Sequence, residues 1–365
     1  MSPAWLSRNP RVRRDQMYGA PQRATIDPSA VPDAGRLPGG ERGATPLHSL
    51  PALAKTLGLG EIRVKDESQR MGFGAFKALG GVFAVHEIVA RDKERAAADF
   101  TFTTASSGNH GRAVALGAHS VGAHCTIFLP KFTPAAKEAA IRALGAQVIR
   151  IDGDYEDAVA ACRLQAEQRG WTIVSDTSWP GYETVPRTVM GGYTVLAREI
   201  LQHWPEGPTH LFVQAGVGGL AAAVIGYLWA TAPQRPQAIV VEPGSADCWF
   251  QSNLAGQPAL ARGPVATAMG GLACREISPL AWPVVGEGAD WFMTIEEDAV
   301  MPARRLFAHP ASDDPAIVSG PSGCAGLAGL CRVAADPAAF AAIGLGPQSR
   351  VLLINSEGDL GEGAA

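Results

Sequence analysis

The chain has 365 residues, 47% hydrophobic and 18% charged, which is the make-up of a globular protein with room for one large core or two medium ones. Its net charge of −4, without a block of like charge, recommends no nucleic-acid partner. No apolar run reaches the roughly 18 residues of a membrane helix, and the opening MSPAWLSRNPRVRRDQ lacks a secretory apolar core, so a cytoplasmic protein is expected.

Residues 1–45, rich in Pro, Gly and Arg, read as an irregular arm. Strands are then expected at 61–65, 100–104, 125–129, 147–151, 172–175, 210–214, 238–241 and 351–354, where β-branched runs stand between turn residues. Helical spacing occupies 78–89, 135–144, 155–168 and 195–203, with Gly145 and Gly170 placed as helix stops. Alternation of the two predicts an α/β protein of parallel and mixed sheets covered on both faces. The compact βα units between them predict a small α/β domain over 85–185. The flanking stretches, 1–84 and 186–365, would form a discontinuous large domain, with a cleft between the two.

Lysine occurs at only six positions, so any lysine chemistry must use one of them. Lys77, in Ala75-Phe76-Lys77-Ala78-Leu79, opens an apolar helix between bulky neighbours. Burial disfavours an ammonium, and a neutral amine can form a Schiff base. The plain alternative is a lysine at a helix end that reaches back to water. In Thr103-Thr104-Ala105-Ser106-Ser107-Gly108-Asn109-His110, hydroxyls, a glycine and an amide lie between a strand and a helix. Such a helix start attracts an anion such as a carboxylate. One of these residues could be an ordinary cap, but a cap does not explain four in a row.

The strand 210–214 runs into Gly216-Val217-Gly218-Gly219-Leu220, whose backbone N–H groups can approach a phosphate. Gly216, Gly218 and Ala221 also fit a dinucleotide fingerprint, with Glu242 where a ribose-binding acid belongs, so a nicotinamide-dependent oxidoreductase is a rival reading. Ser356 directly follows the last strand, where its hydroxyl can face a cleft or simply occupy a turn. The six cysteines form no CxxC pair, and no metal site is expected.

In order along the chain, AFKALGG, SSGNH, GVGG and SEGD resemble the fold type II (tryptophan-synthase-β-like) pyridoxal-phosphate enzymes. From about Ala44 to Asp359 the chain is most similar to the diaminopropionate ammonia-lyases, most particularly in VKDESQRMGFGAFKALGG, SDTSWPGYETVPRTVMGGY, VVEPGSADC and TAMGGLAC. The resemblance implies pyridoxal 5'-phosphate carried on Lys77, which then acts as base at Cα. It implies phosphate binding by Gly216, Val217, Gly218, Gly219 and Leu220, a ring-hydroxyl bond from Asn109 and a pyridine-nitrogen bond from Ser356. Ser106, Ser107, Gly108 and His110 would line the substrate carboxylate pocket, and Asp176 would meet the β-amino group. A family-like homodimer acting on a small amino acid, with release of a 2-oxo acid and ammonia, follows from the same likeness.

The chain departs from that pattern at Ser107, where an aspartate before Gly-Asn-His is expected to serve the D-substrate. SSGNHG is similar instead to serine racemase and the serine/threonine dehydratases, which keeps 3-hydroxy amino acids open as substrates. VVEPGSADC resembles the racemase's cation loop, but Cys248 stands in place of its carboxylate.

Overall fold

A computed structural model describes residues 3–310 and 312–359. Its strands are β1 (Leu6–Arg8), β2 (Leu47–Ser49), β3 (Glu61–Asp66), β4 (Thr101–Ala105), β5 (His124–Pro130), β6 (Gln147–Ile151), β7 (Thr172–Ile173), β8 (His210–Gln214), β9 (Gln237–Pro243), β10 (Trp291–Ile295) and β11 (Arg350–Asn355). They form two sheets: seven strands in the order β1-β10-β9-β8-β11-β3-β2, and four in the order β6-β5-β4-β7. The four-stranded sheet is parallel throughout, and the seven-stranded sheet is parallel except for its antiparallel edges β1 and β2. This is the α/β architecture that the strand–helix alternation requires.

All eight expected strands are present, and the chain does leave the larger sheet after β3 and return to it at β8. The opening segment is less irregular than its composition suggests. β1 pairs with β10, Asn9 donates to the carbonyls of Gly286 and Ala289, and the Arg14 guanidinium clasps Asp290 at 2.6 Å. These polar anchors replace the apolar periodicity that a sequence reading relies on.

The helices Lys77–Arg91 and Thr184–His203 lie between the two sheets in sequence and pack on each other without side chains at their crossing. A Cβ on Gly192 would sit 2.0 Å from the Leu79 carbonyl oxygen, and one on Gly80 would strike the Tyr193 ring at 2.4 Å. The glycines therefore set the closeness of that crossing. Among the described residues no single helix is long and apolar enough to cross a membrane.

Candidate active site

Lys77 is the first residue of its helix, and the loop before it is fastened to the end of β11. The Phe76 amide donates to the Ser356 carbonyl at 3.1 Å, the Gly358 amide donates to the Gly74 carbonyl at 2.9 Å, and Ala75 and Glu357 form an antiparallel bridge between them. Gly74 takes φ +96°, a left-handed conformation that a side chain resists. These contacts bring the AFKALGG and SEGD segments into one place.

The Lys77 ammonium lies 2.5 Å from Asp176 Oδ2 and near the rings of Phe76 and Tyr193. Burial alone would lower its pKa, as expected from sequence. Asp176, and Tyr193 after it, outweigh burial, so the ammonium is held above the ordinary lysine range. For Asp176, burial raises the pKa, but His110 and Lys77 together hold the carboxyl well below the usual range. The neutral amine expected of Lys77 thus requires that Asp176 be given another cation.

Ser106, Ser107 and Gly108 form a half-buried loop ahead of the helix Asn109–Val121. No side chain caps this helix start. The Asn109 amide donates to Glu357 Oε2 at 2.7 Å, and its oxygen accepts from Arg112 at 3.0 Å. His110 is turned away from this loop. Its Nε2 donates to the Val174 carbonyl at 2.8 Å, and its Nδ1 points at Asp176 Oδ2, 3.9 Å away. Burial pushes its pKa down while Asp176 pulls it the other way, and its bond to Val174 supports the Asp176 loop. Tyr182 closes that loop at its base, donating to the Ile173 carbonyl at 2.7 Å and accepting from the Ser175 amide at 3.1 Å.

The glycine loop after β8 leads into the largely apolar helix Gly219–Thr231. Gly218 has φ +100°, and a Cβ there would lie 2.2 Å from the Trp249 ring, while one on Gly216 would lie 2.9 Å from the Cys274 sulfur and the Gly271 carbonyl. Trp249 Nε1 donates to the Gly216 carbonyl at 2.9 Å, fixing the loop from below. The helix has no side-chain cap, so its first N–H groups face the loop unspent by side chains. Together these features make a cradle for a phosphate. Opposite it, Ser356 Oγ accepts from Gln214 Nε2 at 3.0 Å, an amide nitrogen that also donates to the carbonyls of Ser322 and Ile354. With the amide hydrogens so committed, the Ser356 hydroxyl hydrogen is left to donate, which suits an unprotonated ring nitrogen.

A model of the family described as pyridoxal-phosphate dependent enzyme matches residues 40–357. The chain belongs to that family. Its relatives include the diaminopropionate ammonia-lyases of Escherichia coli (strain K12), 37% identical over an alignment of 335 residues with 86% of this chain and 84% of that protein covered, and of Salmonella typhimurium, 37% identical with 86% and 85% covered. The solved holo structure of the E. coli enzyme superposes with a TM-score of 0.85 at 33% identity, covering 97% of this chain and 93% of that one. Pyridoxal 5'-phosphate is therefore the cofactor, and the lysine, the phosphate cradle and the Ser356 hydroxyl fit it.

The nicotinamide reading falls with the same observations. Glu242, its ribose acid, is 0% exposed and spends one oxygen on the Trp249 amide and the other on the Phe250 amide, each at 2.8 Å. It caps the helix Cys248–Ala255 and so aims Trp249 at the glycine loop. Gln214 reads in the sequence as an ordinary strand residue and Trp249 as core, while Glu357 and Cys274 stand inside the motifs SEGD and TAMGGLAC without a role attached to them. Only the pairing of distant segments reveals them. Among the described residues no cluster of His, Cys, Asp or Glu could hold a metal ion.

Proposed function

We propose that this protein eliminates the β-amino group of 2,3-diaminopropionate as a pyridoxal-phosphate-dependent ammonia-lyase, adding one water and releasing pyruvate and two ammonia. The observation that carries this reading is Asp176, an anion set 2.5 Å from the lysine nitrogen. Once that nitrogen is engaged by the cofactor, Asp176 loses its cation. A substrate bearing a second ammonium restores one, whereas a hydroxyl leaves a half-buried carboxylate without that partner.

Bound pyridoxal phosphate supplies the electron sink that acidifies the substrate's Cα–H. The chain's own residues do the rest. The backbone N–H groups of Gly216, Val217, Gly218, Gly219 and Leu220 hold the phosphate, Asn109 meets the ring hydroxyl and Ser356 donates to the ring nitrogen. Ser106, Ser107 and Gly108 receive the α-carboxylate at the uncapped helix start, and His110 holds the Asp176 loop. Lys77 Nζ takes the proton from Cα, and Asp176 keeps the β-ammonium in place until ammonia departs.

The separate parallel four-stranded sheet supports a small domain over 85–185, and we assign the protein to the cytoplasm as a homodimer. A second reading, dehydration of a 3-hydroxy amino acid, is favoured by Ser107 alone. Release of oxo acid and ammonia from L- and D-2,3-diaminopropionate, L- and D-serine and L-threonine separates the two. Pyruvate with two ammonia from diaminopropionate alone is expected. Turnover of the hydroxy amino acids alone would overturn the reading.

A further inference from the structure

Two buried serines, 100 residues apart, meet between the phosphate cradle and the Asp176 loop. Ser278 donates its amide to the Val217 carbonyl at 2.9 Å, so its backbone is part of the glycine loop's surroundings. Its hydroxyl accepts the Ser178 amide at 3.1 Å and lies 2.9 Å from the Ser178 hydroxyl, which accepts the Leu280 amide at 3.0 Å. Ser278 is 0% exposed and Ser178 6%, so no water competes for these bonds. Ser178 stands two residues from Asp176, in the loop whose base Tyr182 already fastens. The tip and base of this loop, on either side of Asp176, are thus both fixed.

We propose that Ser278 and Ser178 are positioning residues that carry the state of the glycine loop into the aim of Asp176. Phosphate binding and recognition of the substrate's β-ammonium then reinforce each other. By linkage the effect is reciprocal and of the usual allosteric size, about tenfold in affinity. This inference rests on the ammonium-binding role given to Asp176 above.

The test uses 2-methyl-2,3-diaminopropionate and 2-methylserine, which lack a Cα hydrogen and bind the loaded enzyme without turnover. Ser278→Ala should weaken the diamino compound about tenfold and leave 2-methylserine unchanged, and Ser278→Thr, which keeps the hydroxyl, should restore it. In an Asp176→Asn background Ser278→Ala should have no further effect on the diamino compound. In hydrogen exchange, cofactor loading should protect amides 176–182 in the wild type but not in Ser278→Ala, with protection of the glycine loop retained in both. Equal weakening of both compounds, an unchanged penalty in the Asp176→Asn background, or protection of 176–182 that survives Ser278→Ala would each overturn the proposal. A wild type that turns over no diaminopropionate would instead overturn the substrate assignment, and the exchange experiment would still decide the link between the loops.

Discussion

The pair Lys77–Asp176 governs the site at the scale of single residues, because each holds the other charged until cofactor and substrate separate them. Lys77→Ala should abolish turnover and, with it, the visible band that borohydride reduces, read by absorbance before and after reduction. The Asp176 carboxyl is held below its ordinary value of 3.8, so its contribution to stability is present above that pH and is lost as the pH falls below it. Lys77 is held above its ordinary 10.5, so its contribution is present below that pH and is lost as the pH rises through its shifted value. Urea unfolding of the cofactor-free protein should therefore show wild type more stable than Asp176→Asn at neutral pH, with the gap closing in acid. Ser107→Asp should create turnover of D-2,3-diaminopropionate, since a carboxylate is a far stronger base than a hydroxyl at neutral pH. An unchanged isomer preference, measured with the separate isomers, would count against the account of Ser107.

Elements show why some of this was legible in the sequence and some was not. The glycine loop announced itself because its function needs residues without side chains. Gly218→Ala forces a side chain to φ +100° and into Trp249, and should lower cofactor affinity by about ten- to a hundredfold, roughly 1.4 to 3 kcal/mol, by absorbance titration. The helix Thr184–His203 was legible only from 195 onward. Pro186 sits in its first turn, where proline costs little, and Gly191-Gly192 weakens the helical signal for the sake of the close crossing at Leu79. β1 and β2, three residues each, are too short to show a period. β10 reads WFMTI and is buried along its whole length, so it has no polar face to alternate with. The four site motifs were plain, but Gln214, Trp249 and Ser278 act only through partners about 30 to 140 residues distant.

Across the whole molecule, stability should carry the mark of Glu242, which lies far from solvent. Burial raises its carboxyl to about 8, although the Trp249 and Phe250 amides pull the other way. A raised value means that the contribution of the neutral acid is complete below the ordinary 4.5 and is lost as the pH rises through about 8. Chemical unfolding of the wild type should therefore show stability declining across that interval, and Glu242→Gln should flatten the decline. The same carboxyl orients Trp249, so the substitution should also loosen the grip on the phosphate. The sheet order was legible in outline, since the flanking strands had nowhere else to pair. The route by which the opening segment reaches β10 was not, because it is fixed by Asn9 and Arg14 rather than by an apolar stripe.

The fastening of the Lys77 loop to the end of β11 bears on the order in which this protein is made. β3 pairs with β11, and Asn355 Nδ2 binds Asp66 Oδ1 at 2.8 Å across a separation of 289 residues. On the ribosome, Lys77 emerges early, yet the strand that holds its loop emerges only after every other described strand, β1 to β10, has been synthesised. The small sheet can form while translation continues, but the lysine stays unplaced until the closing strand slots between β3 and β8. The loop that carries the reactive amine thus takes its place only when β11 has joined β3.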